Sequence, residues 1–384
     1  MKIAIVHSFY RSDNPSGENN VVCAQIDALK EAGHDVAVLA KHTDDLLDQP
    51  GYKYKAALTA ATGHGDDPTA MLRSFNPDIV HVHNLFPNWG TRWLRGWPGP
   101  IIATLHNYRT VCANGLLWRD GHDCHLCPTT GSTSSLTHAC YQNSRYATLP
   151  LTISTRGRGK HSDILNHADA LITLNRSAYA FYSGLLPAKK VYEVPNFAAA
   201  PPRTVASQTG RWAYVGRMTE EKGIPWLLKQ WPDDQELDLV GSGPIVTDIQ
   251  DEALHRPNIH FHGPKPHNEA IDLIAGAKGL IIPSLWSEGI PTVALEALSL
   301  GTPLVLSSHI SAAENLTSGG AGIILNMNEQ MFDLSYHLGT MEGNLVSMSS
   351  AARSLHQSRY STDAWLALIS SVYSEALISR DTLS

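Results

Sequence analysis

Two glutamates, Glu288 and Glu296, sit in the stretch Pro283-Ser-Leu-Trp-Ser-Glu-Gly-Ile-Pro-Thr-Val-Ala-Leu-Glu296. The apolar run Gly279–Ile282 before it predicts a buried strand, and Pro291–Leu300 predicts the helix after it. Proline suits the first helical turn, where no amide hydrogen is needed. Gly289 and Ile290 can therefore offer backbone amides at a helix start, a geometry that binds phosphate or sugar hydroxyls. Ser284 lies on the same approach. Glu296 is flanked by Val293, Ala294, Leu295, Ala297 and Leu298. A helix so apolar is buried, and a buried carboxylate without a partner is costly. Two carboxylates beside such a helix end suit a ligand that carries both a polyol and a phosphate.

A second cluster is Val215-Gly-Arg-Met-Thr-Glu-Glu-Lys-Gly223. A strand ends at Gly216, and Arg217 and Lys222 follow on one loop. Both cations can reach a diphosphate and neutralise leaving-group charge. Read alone, they are equally two surface cations on a polar loop. Val240-Gly-Ser-Gly-Pro244 is a glycine-rich turn after a further strand, which permits close backbone approach to a ligand.

These loops need strands to hold them. Lys2–Val6, Asp35–Ala40, Pro77–His83, Ile101–Leu105 and Ala170–Leu174 read as strands, with helices predicted over Asn20–Glu31 and Arg176–Tyr182. The pattern restarts with Trp212–Val215, Leu237–Val240, Asn258–His262, Gly279–Ile282 and Pro303–Leu306, and a last helix spans Thr362–Ile378. Short apolar strands alternating with helices indicate an α/β fold with parallel sheets covered on both faces. The Ala/Pro/Thr/Ser stretch Phe197–Gly210, with Pro201 and Pro202, reads as a connector. The expected domains are 1–200, with a Cys-rich insert at 112–140, and 210–360. Residues 361–384 are expected to pack back on the first domain. Ligands bind such sheets outside the C-terminal ends of their strands, so a cleft between two tandem units is the expected place of function.

The 384 residues fit two domains, and 43% hydrophobic against 17% charged residues is a globular balance. A net charge of -7 argues against nucleic acid as a partner. No apolar run reaches membrane-spanning length, and the N-terminal run is too short for a signal peptide. A cytoplasmic protein is expected, and a peripheral membrane contact is compatible with the sequence. Arg156-Gly-Arg158-Gly-Lys160 reads as a solvated loop or as a contact for an anionic acceptor or membrane surface.

The strand–GR–x4–KG element, the VGSGP turn and PSLWSEGIPTVALEALSLGTPLV together resemble retaining glycosyltransferase family 4, on the GT-B fold. The resemblance covers nearly the whole C-terminal half, and its Glu-x7-Glu pair falls on Glu288 and Glu296. It implies two Rossmann-like domains whose parallel sheets face across a cleft. It implies a nucleoside diphosphate sugar as donor and a hydroxyl acceptor. Arg217 and Lys222 would bind the donor diphosphate, and Glu296 the ribose hydroxyls. Glu288 and the amides after it would hold the donor sugar, with Gly263 and Ile282–Ser284 helping to hold the base.

In the N-terminal half the family carries a glycine-rich loop after its first strand, here Pro15-Ser-Gly-Glu18. Ser16 replaces one glycine, and Gly17 can still offer its amide. His106 follows a strand where the family often has a donor-contacting histidine. It can hydrogen-bond a sugar hydroxyl or stabilise developing charge. Asn196 reads as structural. His81 and His83 share one face of their strand and read as lining or packing rather than metal ligands. No carboxylate nucleophile is evident in this half. Retention would then proceed by front-face attack through an oxocarbenium-like state, without a catalytic metal.

Cys112, Cys124, Cys127 and Cys140 are spaced C-x11-C-x2-C-x12-C within a long polar loop. That spacing suits a structural zinc held by four thiolates, and it also suits reduced or redox-paired cysteines. Disulfides are disfavoured in a reducing cytoplasm. A subset of family-4-like sequences resembles this one in carrying such an insert. Cys23, on the first helix, reads as a small buried hydrophobe. Two other functions fit the same residues. One is a sugar-nucleotide epimerase or phosphorylase, although no lysine context suits pyridoxal. The other is a non-catalytic sugar-nucleotide-binding partner subunit.

Overall fold

The computed structural model describes residues 1–11, 17–200, 210–327 and 333–381. Pro15 and Ser16 of the first glycine-rich loop, and Pro201 and Pro202 of the connector, lie outside them. The chain divides into two compact units, Met1–Val194 with Leu366–Ser384, and Pro195–Trp365.

The strands in chain order are β1 (Lys2–Phe9), β2 (Asp35–His42), β3 (Ile79–Val82), β4 (Ile101–Leu105), β5 (Trp118–Arg119), β6 (His122–Asp123), β7 (Ala170–Thr173) and β8 (Lys190–Glu193). In the second unit they are β9 (Trp212–Val215), β10 (Leu237–Val240), β11 (Ile259–Gly263), β12 (Leu280–Ile282), β13 (Leu304–Ser307) and β14 (Gly322–Leu325). The first unit holds a six-stranded sheet in the order β2-β1-β3-β4-β7-β8, all pairs parallel. The second holds a six-stranded sheet in the order β11-β10-β9-β12-β13-β14, again all parallel. β5 and β6 form a small antiparallel hairpin.

Parallel strands covered on both faces should read as unbroken apolar runs, and the inner strands do. Ile3, Ala4, Ile5 and Val6 of β1 are fully buried, as are Leu304, Val305 and Leu306 of β13. Each buried Val, Leu or Ile stabilises its sheet by about 1.5–3 kcal/mol relative to exposure.

The chain order reverses direction in each sheet. In the first unit β2 lies on one side of β1 and β3 on the other; in the second β10 lies on one side of β9 and β12 on the other. Diverging loops at such a reversal leave a crevice beyond the strand ends. The loops that leave these strands begin with His83 after β3, Gly216 after β9 and Pro283 after β12, and the helix Gly17–Glu31 follows β1. Most candidate residues thus fall at the two reversal points. His106, after β4, and Gly263, at the end of β11, come from neighbouring strands.

Candidate functional site

The two C-terminal motifs are stitched together by backbone as well as by side chains. Leu285 N donates to Glu221 O at 2.9 Å, tying the loop after β12 to the loop after β9. Gly223 lies against the same strand end at φ +76°, and a Cβ there would stand 1.9 Å from Pro283 O. Only glycine permits both the left-handed backbone and the approach.

On this frame Lys222 Nζ donates to Glu288 Oε1 at 2.5 Å. Ser284 Oγ donates to the other carboxylate oxygen at 2.6 Å. The side chains of Lys222 and Glu288 are 18% and 15% exposed, so the pair is shielded from full screening yet open to a ligand. Glu288 is fixed from behind, because its carbonyl accepts from Ser311 N at 2.8 Å and from Ser311 Oγ at 3.0 Å. Lys222 Nζ also lies 5.8 Å from the Trp286 ring centre.

Arg217 stands on the same loop and reaches Glu221 Oε1 at 3.5 Å, with about half of its side chain exposed. Its carbonyl accepts from Tyr214 Oη at 2.7 Å. Burial, and then the Glu288 carboxylate, push that phenol's pKa upward, so Tyr214 stays a neutral brace. Glu296 lies within the helix Thr292–Leu300, whose residues Ala294, Leu295, Ala297 and Leu298 are fully buried. Its side chain is 27% exposed and stands 4.0 Å from His267 Nε2. Burial raises its pKa and His267 counters that. Pro291 caps this helix from outside rather than forming its first turn.

The glycine-rich turn after β10 does a different job from the one read in the sequence. At Gly241, φ is +145°, and a Cβ would meet Gly216 O at 1.8 Å. Gly216 N donates to Val240 O, and Met218 N to Ser242 O. The turn therefore admits the neighbouring Gly216–Met218 backbone, and through it holds Arg217 in place. Gly263, also at positive φ, accepts from Gly241 N at 3.0 Å.

The first unit gathers histidines. His83 Nδ1 and His106 Nε2 lie 3.0 Å apart and share one proton. His81 is held between Tyr373 Oη and Thr104 Oγ1, each at 2.8 Å. The His81 and His83 rings lie 4.2 Å apart, as residues on one face of a strand should. Burial holds His81 and His106 down to about 3, and His83 well below its usual value. His106 is therefore a neutral hydrogen-bonding group near pH 7, not a cation.

The structure adds a carboxyl that sequence reading passed over. Glu18 lies in the first turn of the helix Gly17–Glu31, one residue after the candidate Gly17. Its Oε1 is buried and has no hydrogen-bond partner among the described residues. Burial raises its pKa to about 7 against the opposing pull of Arg109 and Asn84. An acidic residue at a helix start was visible in the sequence; its burial was not.

Two cysteine readings need correction. Cys112, Cys124, Cys127 and Cys140, expected to ligate zinc, are free thiols. Burial and then the other three thiols push Cys127 up to about 11, so the four share one neighbourhood. Yet among the described residues no group of three or more His, Cys, Asp or Glu side chains is placed to hold a metal ion. Cys112 Sγ instead donates to Asn114 Oδ1 at 2.9 Å. The spacing brings the thiols near one another without closing a tetrahedral set, so these residues do not fit zinc here. Cys23 is exposed, not buried. Its helix buries Val21, Val22, Gln25, Ile26, Ala28 and Leu29, a helical stripe that leaves position 23 outside.

Among the described residues no helix is long and apolar enough to cross a membrane. A family model described as Glycosyltransferase Family 4 matches residues 15–198, and one described as Glycosyl transferases group 1 matches residues 210–334. The chain is 33% identical over 348 residues to the putative teichuronic acid biosynthesis glycosyltransferase TuaC of Bacillus subtilis, covering 79% of this chain and 80% of that one. It is 24% identical over 393 residues to the phosphatidyl-myo-inositol mannosyltransferase of Mycolicibacterium smegmatis, covering 95% and 91%. In fold it is similar to sucrose-phosphate synthase of Thermosynechococcus elongatus, with a TM-score of 0.68 at 16% identity over 98% of this chain and 99% of that one. It is also similar to HepE of Anabaena in complex with UDP, with a TM-score of 0.62 at 16% identity over 98% and 100%. With these matches over both halves, two parallel six-stranded sheets and the stitched Lys222–Glu288 loops, the chain belongs to glycosyltransferase family 4 and is a glycosyltransferase of the GT-B fold.

Proposed function

We propose that this glycosyltransferase transfers a sugar from a nucleoside diphosphate to an acceptor hydroxyl with retention of anomeric configuration. The observation that carries the donor reading is the Lys222–Glu288 pair, held at a strand-order reversal and joined to Ser284. A cation already fixed where phosphate binds loses little freedom when charge develops. Lys222 and Arg217 take the diphosphate. Gly216, Gly289 and Ile290 offer backbone amides to its oxygens and to the sugar, and Gly17 is read as a further amide donor to a phosphate or acceptor. Glu288 orients Lys222 and accepts from donor-sugar hydroxyls. Glu296 accepts from the ribose hydroxyls; Ser284, fully buried, supports the site through Glu288, and buried Gly263 supports it through Gly241. His106, neutral and fixed by His83, hydrogen-bonds a sugar hydroxyl.

In the reaction the bond from the anomeric carbon to the β-phosphate oxygen breaks, and a bond to the acceptor oxygen forms on the same face. The acceptor's proton passes to the departing phosphate oxygen. Arg217 and Lys222 stabilise that leaving charge, and the neutral His106 leaves the oxocarbenium-like centre unopposed. Structures of the fold-neighbour HepE are described as complexes with UDP and with UDP-glucose, which supports a nucleotide-sugar donor.

A panel of uridine, guanosine and adenosine diphosphate sugars, incubated with candidate acceptors, tests this reading. Proton NMR of the first product should show the donor's anomeric configuration. An inverted product contradicts retention, and no turnover of any nucleotide sugar contradicts the donor class.

A further inference from the structure

A cavity of about 600 Å³ opens in the first unit, well within the size range of small-molecule sites. One part of its wall is polar and uncharged, with the His83–His106 pair, Asn84 and Asn107. Such groups suit sugar or polyol hydroxyls, which need donors and acceptors at short range.

Its charged lining is unequal. Arg92, Arg95, Arg109, Arg156 and Lys160 face two carboxyls, Glu18 and Asp163. The imbalance is local, because the whole chain carries -7. Asp163 is already engaged, accepting from Arg95 Nε at 2.7 Å and from Thr91 Oγ1 at 2.7 Å. Arg109 is packed over the Phe86 ring at 4.4 Å and faces Glu18. That leaves Arg92, Arg156 and Lys160, all exposed, with no ion pair to a carboxylate among the described residues. Arg92 is further fixed, because its Nε donates to Thr62 O at 3.0 Å.

Three uncompensated cations on one cavity exceed what one carboxylate neutralises. A phosphate monoester carries about -1.5 to -2 and three strong acceptor oxygens, and a diphosphate offers more. The sequence loop Arg156–Lys160, read as either solvated or anion-contacting, lies on this cavity.

We infer that this cavity takes the acceptor, and that the acceptor is a phosphate-bearing sugar or polyol whose phosphate sits against Arg92, Arg156 and Lys160. The inference rests on the reading of the chain as a transferase to a hydroxyl acceptor, and it adds the acceptor's chemical class.

The test uses the full chain and calorimetric titration with glucose 1-phosphate, glucose and a short-chain isoprenyl phosphate. Wild type should bind both phosphates and should bind glucose far more weakly. R156A/K160A should weaken both phosphates about tenfold or more, since two charge-assisted contacts are removed. R156K/K160R should recover most of that loss. The affinity should also fall with added salt, because the three cations are exposed. Tighter binding of the isoprenyl phosphate supports a lipid-linked acceptor, and equal binding supports a soluble one. Equal affinity of wild type and R156A/K160A for the phosphates overturns the inference, as does phosphate binding that is lost in Lys222→Ala instead. UDP is titrated in parallel: failure to bind it counts against the donor reading while the phosphate arms still judge this one.

Discussion

The two units meet charge in opposite ways. In the second, the cation is paired in advance: Lys222 is bonded to Glu288, and the pair is mostly out of water. In the first, Arg92, Arg156 and Lys160 line a cavity without acidic partners among the described residues, and the acid Glu18 is pushed towards neutrality by burial. A pre-paired lysine is fixed in direction, which suits a group that must stabilise charge arising at one atom. Unpaired exposed cations attract any anion of the right size, which suits recognition. On the proposed reading, the difference separates a residue that serves the reaction from residues that serve selection.

Lys222→Ala is the sharpest way to break that contrast. Removing a preorganised charge that faces the leaving group should cost about 10²–10³ in kcat. Melting temperature should fall by only a few degrees, because Glu288 keeps the Ser284 hydrogen bond once its cation is gone. Steady-state kinetics with the best donor, beside a thermal melt, check both halves of this expectation.

The next effect is on stability. Gly241→Ala puts a methyl group 1.8 Å from Gly216 O at a φ that side chains rarely adopt. Strain of about 1–3 kcal/mol is the least it should cost, read as an earlier denaturant midpoint. If the turn holds Arg217 as described, donor affinity falls as well. A variant of unchanged stability would mean that the two loops are not in such contact.

Glu296→Ala should raise the donor KM more than it lowers kcat, by about tenfold, as expected for a lost hydrogen bond to a charged acceptor. A fall confined to kcat would place Glu296 at the reacting carbon rather than at the ribose.

The smallest effect lies in the first unit and depends on pH. Glu18 has a folded pKa raised from 4.5 to about 7. The folded state holds this proton more tightly than the unfolded chain does, so stability is fullest below about 4.5 and declines as pH climbs to about 7. Glu18→Gln cannot ionise. It should melt a few degrees above wild type at pH 8 and match it near pH 4.5. The same ionisation should weaken phosphate binding as pH rises through 7 in wild type and not in the variant.

Much of the fold was legible because its strands are apolar runs bounded by turns. β4, β9 and β10 fall at the residues read from the sequence; β2, β3, β7, β11, β12 and β13 differ by one or two residues at their ends, β1 runs three residues further, and β5, β6 and β14 were not read as strands. β8, with the sequence KVYE, is an edge strand without a buried residue and left no such signal. The helix Tyr52–Thr62 was missed for a related reason: it buries Thr59 alone, so its apolar residues trace no stripe. The C-terminal site was readable because Glu288 and Glu296 share one strand–loop–helix unit and Arg217 and Lys222 share one loop. The cavity of the first unit draws its lining from Glu18 to His167, across helices, strand ends and loops, and no local spacing could reveal it. The cysteines misled for the converse reason. Their spacing matches a knuckle, but spacing along a chain does not fix the angles that bring four sulfurs to one metal.

The most direct measurement is calorimetric titration of UDP, and of the other nucleoside diphosphates in turn, into wild type and Lys222→Ala. Wild type should bind one of them at a single site, and the variant should bind it at least tenfold more weakly while staying folded. Equal binding by the two proteins would place the diphosphate elsewhere and contradict the role given to the Lys222–Glu288 pair.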